Sequence, residues 1–317
     1  MPHFGRIVTS TEEKITKEGA KKSRQVNKGD LILSNSMSYG LPYVMGIDGY
    51  IHDGWFVLKN FENTFDKDYL CNLLISSAIQ NQYKRLAAGG VVQNISSDLV
   101  NSVSVSIPTM MEQKKISSLL NLIDERIATQ NKIIDKLQSL IKGIAQKIVR
   151  SNKPNVRLYE CVECSSSTQQ ESEVCEQGAY PVYGANGIVG YLDDYNTEGE
   201  AVYIIKDGSG VGTVSYVTGK CSATGTLNTL QAKDGYSLQY LYYLLKVFNF
   251  EPYKTGMAIP HIYFKDYGKA KVFCPSYTEQ LQYARLLSAI DSKLSVEKNT
   301  LRNLSLQKQY LLRQMFI

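Results

Sequence analysis

The sequence contains no long apolar run and no export signal. None of its segments reaches about 18 consecutive apolar residues, and residues 1–10 lack the pattern of a signal peptide. Six cysteines are scattered along the chain, without the dense spacing of a disulfide framework. The sequence therefore predicts neither a membrane-spanning nor an exported protein, and it favours a cytoplasmic location with free thiols.

Motifs of catalysis and of metal binding are also missing. No Gly-x-x-x-x-Gly-Lys-Ser/Thr phosphate loop occurs, and the lack of any Pro-Pro pair excludes the Asn/Asp-Pro-Pro-aromatic motif that holds a flipped adenine in methyltransferases. Cys161-x-x-Cys164 has no good second pair for zinc. The glycine-rich segment 208–212 precedes a strand-like segment, which favours a hairpin turn over a nucleotide loop. We predict no catalytic residue, metal or cofactor in this chain.

Length and composition are those of a folded chain with two domains. Of 317 residues, 43% are hydrophobic and 21% charged, which disfavours global disorder. The 22 tyrosines suit either a strand-rich core or a wet binding surface. The net charge of +5 lies mainly on residues 108–150 (+4) and 276–317 (+3), whereas residues 1–107 carry +1 and residues 151–275 carry −3. A broad basic patch on either globular domain is therefore not expected, although these net charges do not exclude a local basic face.

The sequence repeats itself at an offset of 167 residues. Residues 108–113 are Pro-Thr-Met-Met-Glu-Gln, and residues 275–280 are Pro-Ser-Tyr-Thr-Glu-Gln. Over residues 108–124, seven of the 17 positions are identical to their counterparts. The chain is therefore predicted to use one unit twice, a globular domain followed by a long helix.

In both copies, a row of mostly apolar residues follows the proline at alternating spacings of four and three positions. This is the spacing of the heptad seam of a coiled coil. The first seam consists of Ile116, Leu120, Ile123, Ile127, Gln130, Ile134, Leu137, Ile141, Ile144 and Ile148. The second consists of Tyr283, Leu287, Ile290, Leu294, Glu297, Leu301, Leu304, Lys308, Leu311 and Met315. The alternative, two unrelated amphipathic helices of a bundle, does not explain why Gln130 and Glu297 interrupt the seam at the same point.

Each long helix is predicted to begin after a proline, Pro108 or Pro275, because proline is tolerated at a helix start and not inside a helix. Thr109 or Ser276 can then act near the N-cap, with a glutamate in the first turn. From 110 to 150 the first helix would be about 60 Å long, which suits a spacer.

The repeat also predicts the domain boundaries. The segments are a first domain at 1–107, a long helix at 108–150, a second domain at 151–274 and a second long helix at 275–317. By the offset, Met1 corresponds to Thr168, so residues 151–167 have no counterpart. The first domain is therefore expected to be short at its N-terminus.

Both domains are predicted to be mixed α/β with prominent strands. In the first, strands are predicted at 31–33, 54–58 and 103–107 and a helix at 68–86. In the second, strands are predicted at 180–184, 201–205, 212–217 and 271–273 and a helix at 238–248. Residues 201–205 and 212–217 are expected to pair as a hairpin.

Together these features resemble the specificity (S) subunits of type I restriction–modification systems. The resemblance rests on the repeated Pro-x-x-x-Glu-Gln before a heptad helix, on Lys-Gly-Asp-Leu-Ile-Leu-Ser-Asn-Ser at 28–36, and on Tyr-Pro-Val-Tyr-Gly-Ala-Asn-Gly-Ile-Val-Gly-Tyr at 180–191. It covers the order domain, helix, domain, helix. The chain departs from the family before residue 28, where family members usually have more sequence.

The resemblance implies an α/β (α+β) fold, with two target-recognition domains separated by two long antiparallel coiled-coil helices. It implies a subunit without catalytic activity that binds a split, asymmetric target in double-stranded DNA. Its partners would be two modification (methyltransferase) subunits that use S-adenosylmethionine, and restriction (endonuclease/translocase) subunits that use ATP and Mg.

Polar residues in loops flanked by glycine are the candidate DNA contacts, because Asn and Gln can pair with adenine edges and Arg and Lys with guanine or phosphate. In the first domain they are Ser34, Asn35, Ser36, Ser38, Tyr39, Lys84, Arg85, Gln93 and Asn94. In the second they are Tyr183, Asn186, Lys206, Ser209, Thr224, Thr226, Lys254 and His261. A solvated loop is the plain alternative for each residue, so only the set is a hypothesis.

Two rival interpretations explain part of the sequence. A coiled-coil assembly or adaptor protein would account for the helices and for the negative second domain. An inactive, truncated specificity subunit would account for the short start. DNA affinity that falls steeply with salt would separate DNA binding from the adaptor interpretation, because phosphate contacts release counterions.

Overall fold

The computed structural model describes residues 7–35, 40–87, 95–256 and 258–316. They fall into two compact units, each of which combines a globular domain with one stretch of both long helices. The first unit contains the described residues up to 132 and those from 299 onward, and the second contains residues 133–298. The predicted domain boundaries follow the sequence repeat, whereas the compact units divide both long helices.

The first unit is built on a four-stranded sheet with the order β1-β4-β3-β6. Strand β3 is antiparallel to both neighbours, β1 is parallel to β4, and β2 and β5 form a separate antiparallel pair. All residues of β3 are buried, which places the predicted strand 31–33 inside the sheet. The strands are β1 (Ile7–Val8), β2 (Arg24–Val26), β3 (Leu31–Ser34), β4 (Pro42–Met45), β5 (Gly49–Ile51) and β6 (Trp55–Leu58).

The helices of this half of the chain are α1 (Lys17–Lys21), α2 (Lys67–Ile75), α3 (Ser77–Ala87), α4 (Ser97–Ser102) and the long α5 (Met110–Arg150). The single helix predicted over 68–86 is wrong, because Ser76 interrupts it with φ −65° and ψ 153°. The Gln80 side-chain nitrogen donates to the Leu74 carbonyl across the break, at 2.8 Å. Residues of both α2 and α3 face one core, so apolar periodicity alone does not show the interruption.

The strand predicted over 103–107 is also wrong. None of these residues belongs to a strand, and Val105 and Ile107 are 39% and 37% exposed. A strand needs a partner for its backbone groups, and the described part of the chain provides none here. Instead, the Gln82 side-chain amide exchanges two hydrogen bonds with the Ser104 backbone, at 3.0 and 3.2 Å.

The second unit contains two larger sheets, with the orders β12-β11-β14-β8 and β10-β9-β13. The predicted hairpin is confirmed by the antiparallel pairing of β11 with β12, so the glycine-rich segment 208–212 is its connection. Strand β13 is parallel to β9, and β15 is antiparallel to β7. The strands are β7 (Val156–Arg157), β8 (Val162–Ser166), β9 (Tyr180–Gly184), β10 (Gly187–Leu192), β11 (Glu200–Ile205), β12 (Val214–Thr218), β13 (Ser222–Ala223), β14 (Leu227–Ala232) and β15 (Lys271–Val272).

The helices of this half are α6 (Leu158–Cys161), α7 (Leu238–Leu245), α8 (Phe264–Tyr267) and the long α9 (Tyr277–Met315). Helix α7 is buried almost throughout and ends three residues before the predicted boundary at 248. Short 3₁₀ turns cover Glu171–Glu173 and Glu251–Tyr253.

Both long helices begin with the same capping box. The Thr109 hydroxyl accepts from Glu112 N at 3.4 Å, and the Glu112 carboxylate accepts from Thr109 N at 3.0 Å. Ser276 and Glu279 make the same pair of bonds, at 3.4 and 3.1 Å. The predicted helix starts are thereby confirmed.

The predicted seams are buried or half-buried along both helices. In contrast, Leu119 and Leu286, which immediately precede the seam residues Leu120 and Leu287, are 41% and 50% exposed. The seam is therefore the face on which each helix packs. Among the described residues, no helix has the length and apolar content needed to cross a membrane.

The two helices pack antiparallel inside each unit. In the first unit, Ile116 near the start of α5 shares a core with Met315 at the end of α9, and Asp124 forms an ion pair with Lys308. In the second unit, Ile141 of α5 lines the same pocket as Asp291 of α9. The fold class predicted from the sequence is confirmed, two sheet-rich α/β domains with two long helices packed together.

Candidate nucleic-acid interface

In the second unit, backbone hydrogen bonds bring the loops that carry candidate residues to one end of the β11–β14 sheet. Lys206 follows β11, and its N donates to the Thr226 carbonyl at 3.0 Å just before β14 begins. The Lys206 carbonyl accepts from Ile262 N at 2.9 Å, and Thr224 N donates to the Tyr183 carbonyl at 2.9 Å. We call residues 183–186, 206–213, 224–226, 254–256 and 258–262 the loop end of the second unit.

His261 in this loop end is held by a carboxylate that the sequence analysis did not single out. Its Nδ1 lies 2.6 Å from Asp207 Oδ1, and each of the two side chains is 36% exposed. Their segments are also paired through the backbone, since Gly208 N donates to the Pro260 carbonyl at 3.0 Å. Asp207 fixes the imidazole ring through one nitrogen, so Nε2 is the nitrogen that the ring can offer to a ligand.

Two threonines in the loop end have different roles. Thr224 is 1% exposed, and its hydroxyl lies 2.8 Å from that of Thr226, which is half-buried. The side chain of Thr224 thus supports Thr226 from beneath and does not itself reach the surface. Tyr183 packs on Tyr203 with ring centroids 5.7 Å apart, and burial raises the pKa of Tyr183.

The remaining candidates of the second unit differ in their exposure. Asn186 and Ser209 are exposed in the turns between β9 and β10 and between β11 and β12, and Lys206 is half-buried. The Lys254 ammonium lies 2.6 Å from the Glu251 carboxylate, so part of its charge is neutralised within the protein.

In the first unit, Asn35 joins three segments. Its N donates to the Gly54 carbonyl at 3.1 Å, and its carbonyl accepts from Ile95 N at 2.8 Å. Its side-chain nitrogen donates to the Asp53 carbonyl at 2.7 Å. The preceding Ser34 is 2% exposed, and its hydroxyl accepts from Leu41 N at 3.0 Å, so this side chain closes the loop from inside.

Lys84 and Arg85 are exposed near the end of α3. The preceding Tyr83 is 1% exposed and packs against Gly40. Gly40 has φ +62°, and a Cβ there would lie 2.6 Å from the Tyr83 ring, so only glycine fits this contact. This contact anchors the end of α3 that carries the two cations.

Five candidates of the first domain lie outside the described residues and stay predictions. They are Ser36, Ser38, Tyr39, Gln93 and Asn94.

A buried glutamine that was not predicted attaches each domain to its long helix. The Gln113 oxygen accepts from Asp66 N, which caps α2, at 2.8 Å, and its nitrogen donates to the Pro108 carbonyl at 3.1 Å. The Gln280 oxygen accepts from Ser237 N, which caps α7, at 2.9 Å, and its nitrogen donates to the Pro275 carbonyl at 2.9 Å.

This arrangement explains why the Pro-x-x-x-Glu-Gln segment recurs. The glutamate closes the capping box of the long helix, while the glutamine, 1% exposed in both copies, joins that helix to the cap of a domain helix. The signal was present in the sequence as an identity at the same offset. The sequence does not reveal the role of this glutamine, because the backbone group that it bonds lies more than 40 residues upstream in each copy.

The comparison with protein families gives one match over most of the chain. The model of the type I restriction modification DNA specificity domain matches residues 4–139 and 155–305. The two matched segments coincide with the two copies of the repeat.

Individual relatives are distant. The chain is 26% identical to a type I specificity subunit of Mycoplasma genitalium over 261 residues, which are 75% of this chain and 68% of that protein. It is 27% identical to the type I restriction enzyme EcoprrI specificity subunit of Escherichia coli over 117 residues, 37% of this chain and only 29% of that subunit.

Solved structures show the same fold. The crystal structure of the type I restriction–modification S subunit from M. genitalium has a TM-score of 0.65 at 19% identity, covering 94% of this chain and 85% of that one. A chain from a structural study of complex assembly and conformational transition in the type I system has a TM-score of 0.59 at 16% identity, covering 91% and 82%. At these identities the likeness concerns the fold alone.

Proposed function

The chain belongs to the family of type I restriction–modification DNA specificity subunits, and from this premise we propose that it binds a two-part DNA target, one part with each domain. The observation that carries the proposal is the duplicated attachment, in which Gln113 and Gln280 fix two domains to two long helices in the same way. The attached loops differ in sequence. Two domains of this kind suit two different half-sites, so the target should be asymmetric and interrupted by base pairs that no domain reads.

For the second domain, we propose that the loop end lies against one half-site. Lys206 suits a phosphate or the edge of a guanine, and the side-chain amide of Asn186 suits the edge of an adenine. His261, fixed by Asp207, would present Nε2 to a base edge, with the hydroxyls of Thr226 and Ser209 beside it. Because residues 151–275 carry a net charge of −3, the attraction to DNA must come from this local group of side chains.

For the first domain, we propose that the exposed Lys84 and Arg85 contact DNA beside the loop that starts at Asn35. Arg and Lys are the side chains that most often read guanine or hold phosphate. The predicted contacts at residues 36, 38, 39, 93 and 94 belong to the same proposal, since their flanking residues Asn35 and Ile95 are hydrogen-bonded to each other.

We further propose that the chain works as the non-catalytic member of a larger complex in the cytoplasm. Two modification subunits with S-adenosylmethionine would methylate adenine, and restriction subunits with ATP and Mg would cleave DNA. Support for this comes from the family membership and from the related chain solved in a study of type I complex assembly. The long helices, with their exposed leucines Leu119 and Leu286, offer surface for such subunits.

Methylome sequencing of a host that co-expresses this chain with a cognate modification subunit tests the proposal. The expected result is methylated adenine in a split, asymmetric motif that disappears when this chain is omitted. Methylation governed by one half-motif would mean that only one domain reads DNA. A complex that purifies intact but methylates no motif would reject the proposal and favour the adaptor or inactive interpretation.

A further inference from the structure

Two cysteines that lie far apart in the sequence meet in the interior of the second unit. The Cys161 sulfur lies 3.7 Å from the Cys274 sulfur, although the two residues are 113 positions apart along the chain. Cys161 is the last residue of α6 and is 0% exposed. Cys274 is 6% exposed and immediately precedes the proline that leads into α9. We call Cys161 and Cys274 the buried thiol pair.

Backbone hydrogen bonds fix both members of the pair. The strands β7 and β15, which precede the two cysteines, pair with each other. The Asn155 side chain donates to the Cys274 carbonyl at 2.7 Å and accepts from Cys274 N at 2.9 Å. The Cys161 carbonyl accepts from Lys233 N at 3.0 Å. Since a disulfide has a sulfur separation of about 2.05 Å, the two sulfurs need to approach by only roughly 1.7 Å, which side-chain rotation can supply.

The Cys-x-x-Cys motif of the sequence is not the pair that the fold brings together. Cys161 is hydrogen-bonded to the sulfur of Cys274, whereas the thiol of Cys164, in β8, donates to the Ser165 carbonyl at 3.8 Å. Burial raises the pKa of Cys164 to about 11, which disfavours its thiolate. Any redox chemistry of Cys161 is therefore expected to involve Cys274 rather than Cys164.

Hydrogen bonds make Cys161 the more nucleophilic member of the pair. Its own thiol can donate to the Arg157 carbonyl at 3.5 Å, so Cys274 is the donor between the two sulfurs. This hydrogen bond, with a smaller contribution from Tyr236, lowers the pKa of Cys161 despite its burial. The same hydrogen bond, together with burial, raises the pKa of Cys274. Because the thiolate is the form that attacks an oxidant, Cys161 should react first.

We propose that the buried thiol pair is a redox site, which hydrogen peroxide converts into a disulfide. In the first step the Cys161 thiolate attacks one peroxide oxygen, so that an S–O bond forms and the O–O bond breaks. The hydroxide that leaves takes up the proton released by Cys161, and Cys161 becomes a sulfenic acid. The Cys274 sulfur then attacks the Cys161 sulfur, the S–O bond breaks, and the hydroxyl leaves with the Cys274 proton as water. Two thiols and one peroxide thus give one disulfide and two waters, with two electrons passing from sulfur to oxygen.

The disulfide joins the second domain covalently to the segment that starts α9. Gln280 makes a noncovalent attachment between the same two parts, through Ser237 N. A covalent link between residues 113 positions apart restricts the unfolded chain and so stabilises the folded unit. By the repeat offset, Ile107 is the counterpart of Cys274, so the repeated scaffold does not require a thiol at this position. The redox site is independent of the proposed DNA binding.

Disulfide mapping on the unmodified chain tests the proposal. The folded protein is exposed to hydrogen peroxide, and the remaining thiols are then alkylated under denaturing conditions. Cleavage after glutamate, lysine and arginine places the six cysteines in separate peptides, which mass spectrometry identifies. We expect a disulfide between Cys161 and Cys274 that dithiothreitol reverses. A link between Cys161 and Cys164, or a Cys161 that stays reduced, would overturn the proposal.

Cys221 is the internal control of this experiment. It is 1% exposed, like Cys161, but its sulfur lies 3.2 Å from the Tyr203 hydroxyl, and burial raises its pKa. We expect Cys161 to be oxidised faster than Cys221 by on the order of tenfold or more, because Cys161 has the larger thiolate fraction. Equal rates at the two positions would mean that oxidation follows unfolding of the unit, and they would contradict a built redox site.

Two variants separate the steps of the reaction. In Cys274→Ser the serine hydroxyl can still donate to Cys161, so a sulfenic acid should accumulate at Cys161, where dimedone traps it. In Cys161→Ser we expect Cys274 to stay reduced at the same peroxide dose, because its pKa is raised. Dimedone trapped at Cys274 and not at Cys161 would contradict the assignment of Cys161 as the attacking thiol.

The stability of the oxidised chain provides a further readout. Urea unfolding followed by circular dichroism should show a midpoint for the second unit that rises by on the order of 1 M when the disulfide forms. Peroxide treatment of Cys274→Ser should produce no such rise, which controls for oxidation of other residues. A disulfide that forms without raising the midpoint would contradict the inference that the backbone already holds the two sulfurs in place.

Discussion

The buried glutamines Gln113 and Gln280 illustrate how one side chain can fix a domain on a helix. Each amide supplies an acceptor to the cap of a domain helix and a donor to the proline carbonyl before a long helix. With 1% exposure, water cannot replace either bond if the amide is removed. The cost of truncation is therefore the desolvation of the groups left behind, which exceeds the net worth of an average hydrogen bond.

We predict that Gln113→Ala destabilises the first unit by about 1–3 kcal/mol, because Asp66 N and the Thr64 and Pro108 carbonyls lose their partner. Urea unfolding can be followed by the fluorescence of Trp55, the single tryptophan, which lies in this unit. The control Gln307→Ala makes the same chemical change at an exposed position of α9 in the same unit, where we expect a change within about 0.5 kcal/mol. Equal effects of the two variants would contradict the role assigned to Gln113.

Alkaline pH should destabilise the first unit through Tyr83. Burial raises the pKa of Tyr83 from 10.0 to about 12, so the unfolded chain releases this proton first as the pH rises. The contribution of Tyr83 to the free energy of unfolding is therefore fully present below pH 10, and it is lost between pH 10 and 12. In Tyr83→Phe, we expect this decline to be smaller by on the order of 2 kcal/mol, measured as urea midpoints across that pH range. A Tyr83→Phe profile parallel to that of the wild type would show that other groups govern the alkaline limb.

Single residues of the interface could be predicted only in part. The sequence pointed to His261 but not to Asp207, because 54 residues separate them and neither stands in a recognisable motif. The sequence predicts DNA contacts at Ser34 and Thr224 because they are polar residues in glycine-flanked loops, yet both side chains are buried. Polarity and neighbouring glycine locate a loop, but which of its side chains face inward depends on backbone turns that the sequence does not reveal.

At the scale of elements, the long helices were predicted well because their signals are local. Residues 110–150 form α5 with the predicted bounds, and the heptad spacing identified the buried face. The strand predicted at 103–107 failed because a strand depends on a partner far along the chain. The corresponding segment of the second unit does form a strand, β15, because β7 pairs with it.

The seam gives a sharp prediction from two adjacent leucines. Leu120 is 0% exposed in the core of the first unit, and Leu119 is 41% exposed. We expect Leu120→Ala to cost about 2–5 kcal/mol, from lost burial and a cavity. Leu119→Ala should cost less than about 1 kcal/mol in the same Trp55-monitored unfolding. The pair Leu287 and Leu286 offers the same comparison in the second unit, where unfolding is followed by circular dichroism because Trp55 lies in the first unit. Similar costs within either pair would contradict the assigned packing face.

At the scale of the whole molecule, comparing the two copies of the repeat shows which residues they share and which differ between them. The capping boxes, the buried glutamines and the seams recur in both copies, and these residues hold the scaffold together. The residues of the loops do not recur, with Asn94 of the first domain replaced by His261 in the second. Selection for two half-sites on one frame would produce this division, in which the frame is conserved within the chain and the reading surfaces diverge.

If each domain reads one half of the DNA target, as proposed, a change in the loops of one domain should alter only that half. In Lys206→Gln we expect the methylated motif to relax at a position of one half-site if Lys206 reads a base. If Lys206 holds a phosphate, the motif should persist while affinity falls and the slope of log affinity against log salt decreases by about one.

Lys220→Gln is the matched control, because Lys220 lies in the same domain beyond the opposite end of β12 and is 43% exposed beside Glu198. This change should leave both the motif and the salt slope as in the wild type. Arg85→Gln should change the other half of the target, since Arg85 belongs to the first domain. If Lys206→Gln and Arg85→Gln altered the same half-site, the two domains would not read separate halves, and the bipartite proposal would fail even though the fold and family membership stand.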